Sequence, residues 1–317
     1  MLFSPVHPMH IPDGFLSTMV SLVMWVLSVP VVALALRRVG RDLSERQVPL
    51  MGVMAAALFA GQMLNFTVTG GTSGHLLGAA IATILLGPWA AMVVLTTVVS
   101  VQALVFQDGG LLALGANLFN MAVIGVSVSY FLFSSVRRLA GGRSWGLFVG
   151  GALAAWSSIV ISALAAALEL ALSGTSPANI AIPAMGGIHM LIGLGEAGIT
   201  LGVLAFLQTA RRDLLQTDAT RASGNRAIWA GGLVLATLLA VLSPLASRHP
   251  DGLIWVARQQ GFLSAAKSPT FKIFSGYLIP GISNRTLATI LAALVGVILI
   301  AAVALLADWM RTRRQRK

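Results

Sequence analysis

The run LSTMVSLVMWVLSVPVVALALRRVGR, Leu16–Arg41, decides the fold class. Its first 21 residues, Leu16 to Leu36, carry no charge, and then three arginines arrive within five positions. A helix rising about 1.5 Å per residue crosses about 30 Å in 20 residues, the thickness of a bilayer's hydrocarbon core. Comparable runs recur along the chain. The 317 residues are 57% hydrophobic and 10% charged, with a mean hydropathy of +0.87, whereas soluble domains are about a quarter charged. The alternation of a membrane β-barrel is absent. The chain therefore reads as an all-α integral membrane protein. It has no cysteine, which excludes disulfides, thiolate metal sites and cysteine nucleophiles.

Hydropathy predicts nine spans, at 16–36, 48–66, 75–87, 89–106, 113–135, 145–172, 185–209, 227–246 and 286–308. The third and fourth are separated only by Gly87-Pro88 and read as a tight hairpin or one broken segment. Basic residues cluster after spans one, five, seven and nine. They are Arg37, Arg38, Arg41 and Arg46, then Arg137, Arg138 and Arg143, then Arg211, Arg212, Arg221 and Arg226, then Arg311, Arg313, Arg314, Arg316 and Lys317. These are 16 of the 21 Lys and Arg residues. With nine spans all four clusters fall on one side, which the positive-inside rule makes cytoplasmic. The N-terminus is then outside and the C-terminus inside. Topology thus accounts for most of the net charge of +11. Nucleic acid is not an expected partner, and the terminal RTRRQRK suits anionic lipid. The N-terminus lacks the basic start of a cleaved signal peptide. The polar stretch 210–226 reads as a cytoplasmic linker between a seven-span part and a two-span part, the latter with a long outer loop at 247–285.

The remaining polar residues gather outside. MHIPDGFLS (9–17) puts His10 and Asp13 before span one, and TGGTSGH (69–75) ends in His75. FQDGG (106–110) carries Asp108. Asn117 and Asn120 follow at i and i+3 on one helix face, and His189 stands two turns before Glu196. Ionisable groups within spans are costly and mark function by default; Glu196 and Glu169 qualify, although Glu169 stands near an outer end where it reaches water. Plainer roles compete. Pro12-Asp13-Gly14 makes a good turn with Asp13 as a cap, Asp108-Gly109-Gly110 is a turn as well, and a single histidine at a helix end is usually a cap. No lysine completes G-x-x-x-x-G-K, so the chain has no phosphate loop. Several histidines without thiols favour Ni, Co, Cu or Zn.

Met9-His10 offers a particular chelate. A free amine, the deprotonated histidine backbone nitrogen and its imidazole close linked five- and six-membered rings. His75 is the obvious fourth nitrogen, and square-planar nitrogen ligation suits Ni(II) or Cu(II). The chelate requires a free amine at Met9, so residues 1–8 are expected to be an extension or an over-long start; otherwise His7 contributes.

MHIPDGFLS, NFTVTGGTSGHLLG (65–78), LLGPWAAM (85–92), FQDGGLLALGANLFNM (106–121) and HMLIGLGEAGIT (189–200) resemble the CbiM/NikM family over residues 9–209. These are substrate-capture components of energy-coupling factor transporters for cobalt and nickel. Residues 227–317, with HPDGLIWVA (249–257) and YLIPGI (277–282), resemble the PDGLE/NikN-type accessory component, with Ile254 where that pattern has glutamate. The resemblance implies a metal site of Met9, His10 and His75. It makes Asp108 and its glycines a closing or supporting loop, and leaves Asp13, Asn117, Asn120, His189 and Glu196 as further supports. It implies Ni(II) or Co(II) as transported substrate and no organic cofactor. The expected partners are a transmembrane scaffold protein and two cytoplasmic ATPases, in a bacterial cytoplasmic membrane. Nickel leads, with cobalt for cobalamin synthesis as the alternative. A membrane metalloenzyme using His10, His75 and His189 with Glu196 as base is a reading of another class, weakened by the lack of H-E-x-x-H. A sensor without transport is the third.

Overall fold

A computed structural model describes residues 9–42, 47–215 and 225–315. Expectations that fall on His7, Arg46, Arg221, Arg316 and Lys317 lie outside the described residues, as do those on the side chains of Arg226, Arg311, Arg313 and Arg314. The described residues are mostly helical, with very little strand. Among the described residues seven helices are long and apolar enough to cross a membrane, and they form a multi-pass α-helical membrane protein. They are α1 (Thr18–Asp42), α4 (Pro88–Phe106), the run formed by α5 (Leu114–Leu118) and α6 (Val126–Leu139), α7 (Ser144–Leu172), α8 (Ala178–Ala210), α9 (Asn225–Leu242) and α11 (Arg285–Gln315). Their outward faces carry exposed apolar side chains such as Val26 (70%) and Phe131 (66%), which lipid accepts and water does not.

Two of the nine expected spans are shorter. α2 (Gln47–Gln62) has 16 residues, and α3 (Ala79–Leu86) has eight. Eight residues rise only about 12 Å, so α3 alone is too short to span; the irregular stretch 75–78 precedes it, and α4 begins at the arginine-bearing end, where the Arg38 guanidinium lies 5.9 Å from the Trp89 ring centroid. Gly78 (φ 76°) and Gly87 (φ 78°) bracket it in conformations that end a helix. The short helix is buried and packs on α4, α6 and α7. A broken segment survives at that depth because protein rather than lipid surrounds it. Between α5 and α6 the run winds as a π-helix over Phe119–Gly125, a distortion that re-aims side chains. A two-stranded hairpin, β1 (Phe66–Val68) and β2 (Thr72–Gly74), precedes α3.

α2 is too short to stand alone, and α9 and α11 cover it. The approach is close: a Cβ on Gly232 of α9 would lie 1.8 Å from Val53 of α2, the small-residue packing that stands in for hydrophobic drive within lipid. Between α9 and α11 the chain carries α10 (Gly252–Gln259) and a long strap. Both lie across one end of the bundle, where residues 9–17, the hairpin and the 107–113 loop also sit. Eight of the described arginines, Arg37, Arg38, Arg41, Arg137, Arg138, Arg143, Arg211 and Arg212, mark the opposite end, at the C-termini of α1, α6 and α8 and before α7.

Candidate metal centre

The segment before α1 is anchored by side chains about a hundred residues away. Asn117 accepts the Ile11 N–H (3.0 Å) and donates to the Ile11 carbonyl (3.1 Å), a two-way clamp. The Gly110 N–H donates to the same carbonyl at 2.9 Å. The Asp13 carboxylate accepts three backbone N–H groups, from Leu111, Leu112 and Ala113 at 2.9–3.0 Å. It caps the approach to α5 from a distant part of the chain. Gly110 has no room for more than hydrogen, since a Cβ there would lie 2.0 Å from Asp13 Oδ1.

This zipper buries Met9 and His10 beside Asp108. The Met9 nitrogen donates to Asp108 Oδ1 at 2.7 Å, and the Tyr277 hydroxyl donates to Oδ2 at 2.6 Å. Burial alone would raise the Asp108 pKa, but His10, the tyrosine hydroxyl and the Met9 N–H together hold it below the usual carboxylate range. His10 Nδ1 lies 3.2 Å from Asp108 Oδ1, out of alignment for a hydrogen bond, so both its ring nitrogens are buried without a hydrogen-bond partner. Buried ring nitrogens of this kind suit a partner that is not a protein side chain, and a metal ion is one.

His75 follows β2 and brings its ring to 5.6 Å from that of His10, centroid to centroid. The backbone after it is fixed by Glu196, whose two carboxylate oxygens accept the Leu77 and Gly78 N–H groups at 2.8 Å each. Glu196 is therefore a brace for the His75 segment. His189 donates through Nδ1 to the Met185 carbonyl one turn back (2.7 Å), which leaves Nε2 as its free donor atom. Asn120 hydrogen-bonds Glu169 at 2.9 Å. Glu169 is only 4% exposed, so the expectation that it reaches water is wrong: α7 turns it into the protein.

His10, His75, His189, Asn117 and Asn120 line one cavity of about 80 Å³. Asp13, Asp108 and Glu196 hold its walls from behind. A liquid water occupies about 30 Å³, and pockets for organic ligands run to several hundred, so the space suits an ion with a water or two. No three His, Asp or Glu side chains among the described residues are gathered closely enough to chelate an ion by themselves. The Met9 nitrogen and the His10 ring both lie against Asp108 Oδ1, at 2.7 and 3.2 Å.

Residues 10–214 match the family model CbiM, described as cobalt uptake substrate-specific transmembrane region, and residues 226–313 match the PDGLE domain. The chain belongs to the CbiM family. It is 33% identical to a putative fused nickel transport protein NikMN of Archaeoglobus fulgidus, over 93% of this chain and 96% of that one. It is 42% identical to a putative metal transport protein of Haloquadratum walsbyi, over 66% of this chain and 94% of that one. A crystal structure of a truncated transition metal transporter is 38% identical and covers 63% of this chain and 98% of its own, with a TM-score of 0.57. The family places the chain among metal-transport proteins rather than enzymes.

The CbiM-type region does not build this end of the molecule alone. Asp251, from the PDGLE part, also lines the cavity, and its Oδ1 lies 3.0 Å from His75 Nδ1. Burial disfavours the His75 cation, but Asp251, with Asp108 and Glu196 further off, outweighs it and raises the pKa above the ordinary 6.5. The strap adds Tyr277, and its Lys267 N–H donates to the Asp13 carbonyl at 2.7 Å. Sequence reasoning missed Asp251 and Tyr277. Both lie within the motifs HPDGLIWVA and YLIPGI, whose local pattern does not reveal contacts with the other part of the chain. Ile254, where the PDGLE pattern has glutamate, is 1% exposed and packs in the apolar core.

Proposed function

We propose that the chain is the substrate-capture component of an ATP-driven energy-coupling importer for a divalent transition metal, with nickel as cargo. The observation that carries this reading is the pair of imidazoles on an ion-sized cavity, one of them with both nitrogens unpartnered, beside the Met9 nitrogen. Residues 9–209 form the capture domain, 210–226 the linker and 227–317 the accessory domain. The Met9 nitrogen, the backbone and ring of His10 and the His75 ring bind the ion. Asp13, Asp108, Asn117, Asn120, His189 and Glu196 support them. An all-nitrogen plane favours Ni(II), and the relatives named as fused nickel transport proteins share the two-part layout.

The chain carries no nucleotide-binding motif, so a membrane scaffold protein and two ATPases supply the energy. The arginine-bearing end faces the cytoplasm of a bacterial cell and the metal cavity faces outward. The test is radioactive nickel uptake by cells that express the chain with its scaffold and ATPases. Uptake is expected to require His10, His75 and ATP. Cobalt uptake at nickel's expense would replace the cargo, and uptake indifferent to both histidines would overturn the reading.

A further inference from the structure

His75 enters the cavity from the CbiM-type part, but the group that holds its ring comes from the other part. Asp251, 3% exposed, precedes α10 and puts Oδ1 3.0 Å from His75 Nδ1. The placement is built. The Ser73 N–H donates to the Pro250 carbonyl at 2.9 Å, the Thr72 hydroxyl donates to the same oxygen at 3.0 Å, and the Ser73 hydroxyl donates to the His249 carbonyl at 2.9 Å. Ser73 and Asp251 pair as a parallel bridge. The strand that ends at Gly74, immediately before His75, is thus stitched to the turn that carries Asp251. Gly252 then passes so close to His189 that a Cβ would lie 3.0 Å from its ring.

A carboxylate only accepts hydrogen bonds, so a neutral His75 beside it carries its proton on Nδ1 and keeps Nε2 bare. A metal-ligating imidazole is commonly oriented in this way by a carboxylate on its other nitrogen. We propose that Asp251 is the positioning residue of His75, fixing the tautomer and rotation of the ring, so that the PDGLE part completes the capture site. This rests on the reading of His75 as a metal donor. Asp251 need not touch the ion itself.

The experiment uses the chain in detergent, in the two forms that begin at Met1 and at Met9, titrated with nickel chloride against a chromophoric chelator; Asp251→Asn, Asp251→Glu and His75→Ala are made in whichever form binds. Histidine ¹⁵N spectra of the metal-free protein report the tautomer. Loss of such a partner weakens metal binding by about 10- to 100-fold. Asp251→Asn is expected to do so, because an amide both donates and accepts and releases the tautomer, while Asp251→Glu recovers most of the affinity. The unmodified protein is expected to show His75 protonated on Nδ1. Unchanged affinity in Asp251→Asn while His75→Ala loses binding would overturn the proposal and leave the donor assignment intact. Full binding by His75→Ala would instead overturn the donor assignment, and the proposal with it. If Asp251→Asn does not fold, the spectrum of the unmodified protein decides: a proton on His75 Nε2 overturns the proposal.

Discussion

Replacing Asn117 with alanine removes both halves of the clamp on Ile11. The Ile11 carbonyl keeps the Gly110 N–H at 2.9 Å, but the buried Ile11 N–H loses its Asn117 acceptor. An orphaned buried donor costs about 1–3 kcal/mol, and the second lost bond adds about 1 kcal/mol at most. The fold as a whole survives, because Asp13 still holds three N–H groups and Met9 still meets Asp108. The strain falls on the placement of His10. Since about 1.4 kcal/mol is tenfold in an equilibrium, a loss of about 1–4 kcal/mol sets a ceiling of about 5- to 700-fold on the drop in metal affinity. Affinity falls only as far as the segment undocks in the free protein, so the expected loss is about tenfold. Nickel titration measures it, and faster amide hydrogen exchange across residues 9–17 should accompany it. Unchanged affinity and unchanged exchange in Asn117→Ala would refute the reasoning that this clamp positions His10.

Other perturbations follow from the same geometry. Gly110→Ala forces a Cβ to within 2.0 Å of Asp13 and should abolish nickel uptake while the helical content measured by circular dichroism stays unchanged. Tyr277→Phe removes a donor from a buried carboxylate. It should cost about 1–3 kcal/mol of stability, read as a lower melting temperature in detergent, and let the Asp108 pKa rise. Binding should also depend on pH with a defined sign. Ligation needs a neutral imidazole, and the raised His75 pKa keeps the proton on to higher pH. The His75 contribution should therefore be lost as the pH falls through that raised pKa, beginning above 6.5, while the Met9 amine and the His10 backbone nitrogen add their own proton release at higher pH. In Asp251→Asn the onset should move to lower pH, and an onset that does not move would count against Asp251 as its cause.

Much of this was legible in the sequence because lipid imposes blunt rules. Charge-free runs of about 20 residues bounded by arginines marked the long helices, and the histidines and Asp108 fell on one side by topology alone. α3 was not legible as a half-length helix, because an apolar run does not say whether lipid or protein surrounds it. Gly87-Pro88 announced the break without its depth. Asn117 and Asn120 were legible as one face and both line the cavity, but their partners, Ile11 and Glu169, lie far off in the chain and leave no local signal. Asp13 looked local and acts across about a hundred residues. Asp251 was hidden for another reason: its pairing with His75 spans 176 residues and the linker, and no periodicity or spacing encodes such a contact.

The central claim is that His10 and His75, with the Met9 nitrogen, capture the ion. The most direct test is the absorption spectrum of Ni(II) bound to purified protein, prepared with chains that begin at Met1 and at Met9. The account predicts one square-planar, diamagnetic Ni(II) per chain in the form that begins at Met9, lost in His10→Ala and in His75→Ala. Octahedral nickel in that form, or square-planar nickel that survives both substitutions, would contradict it.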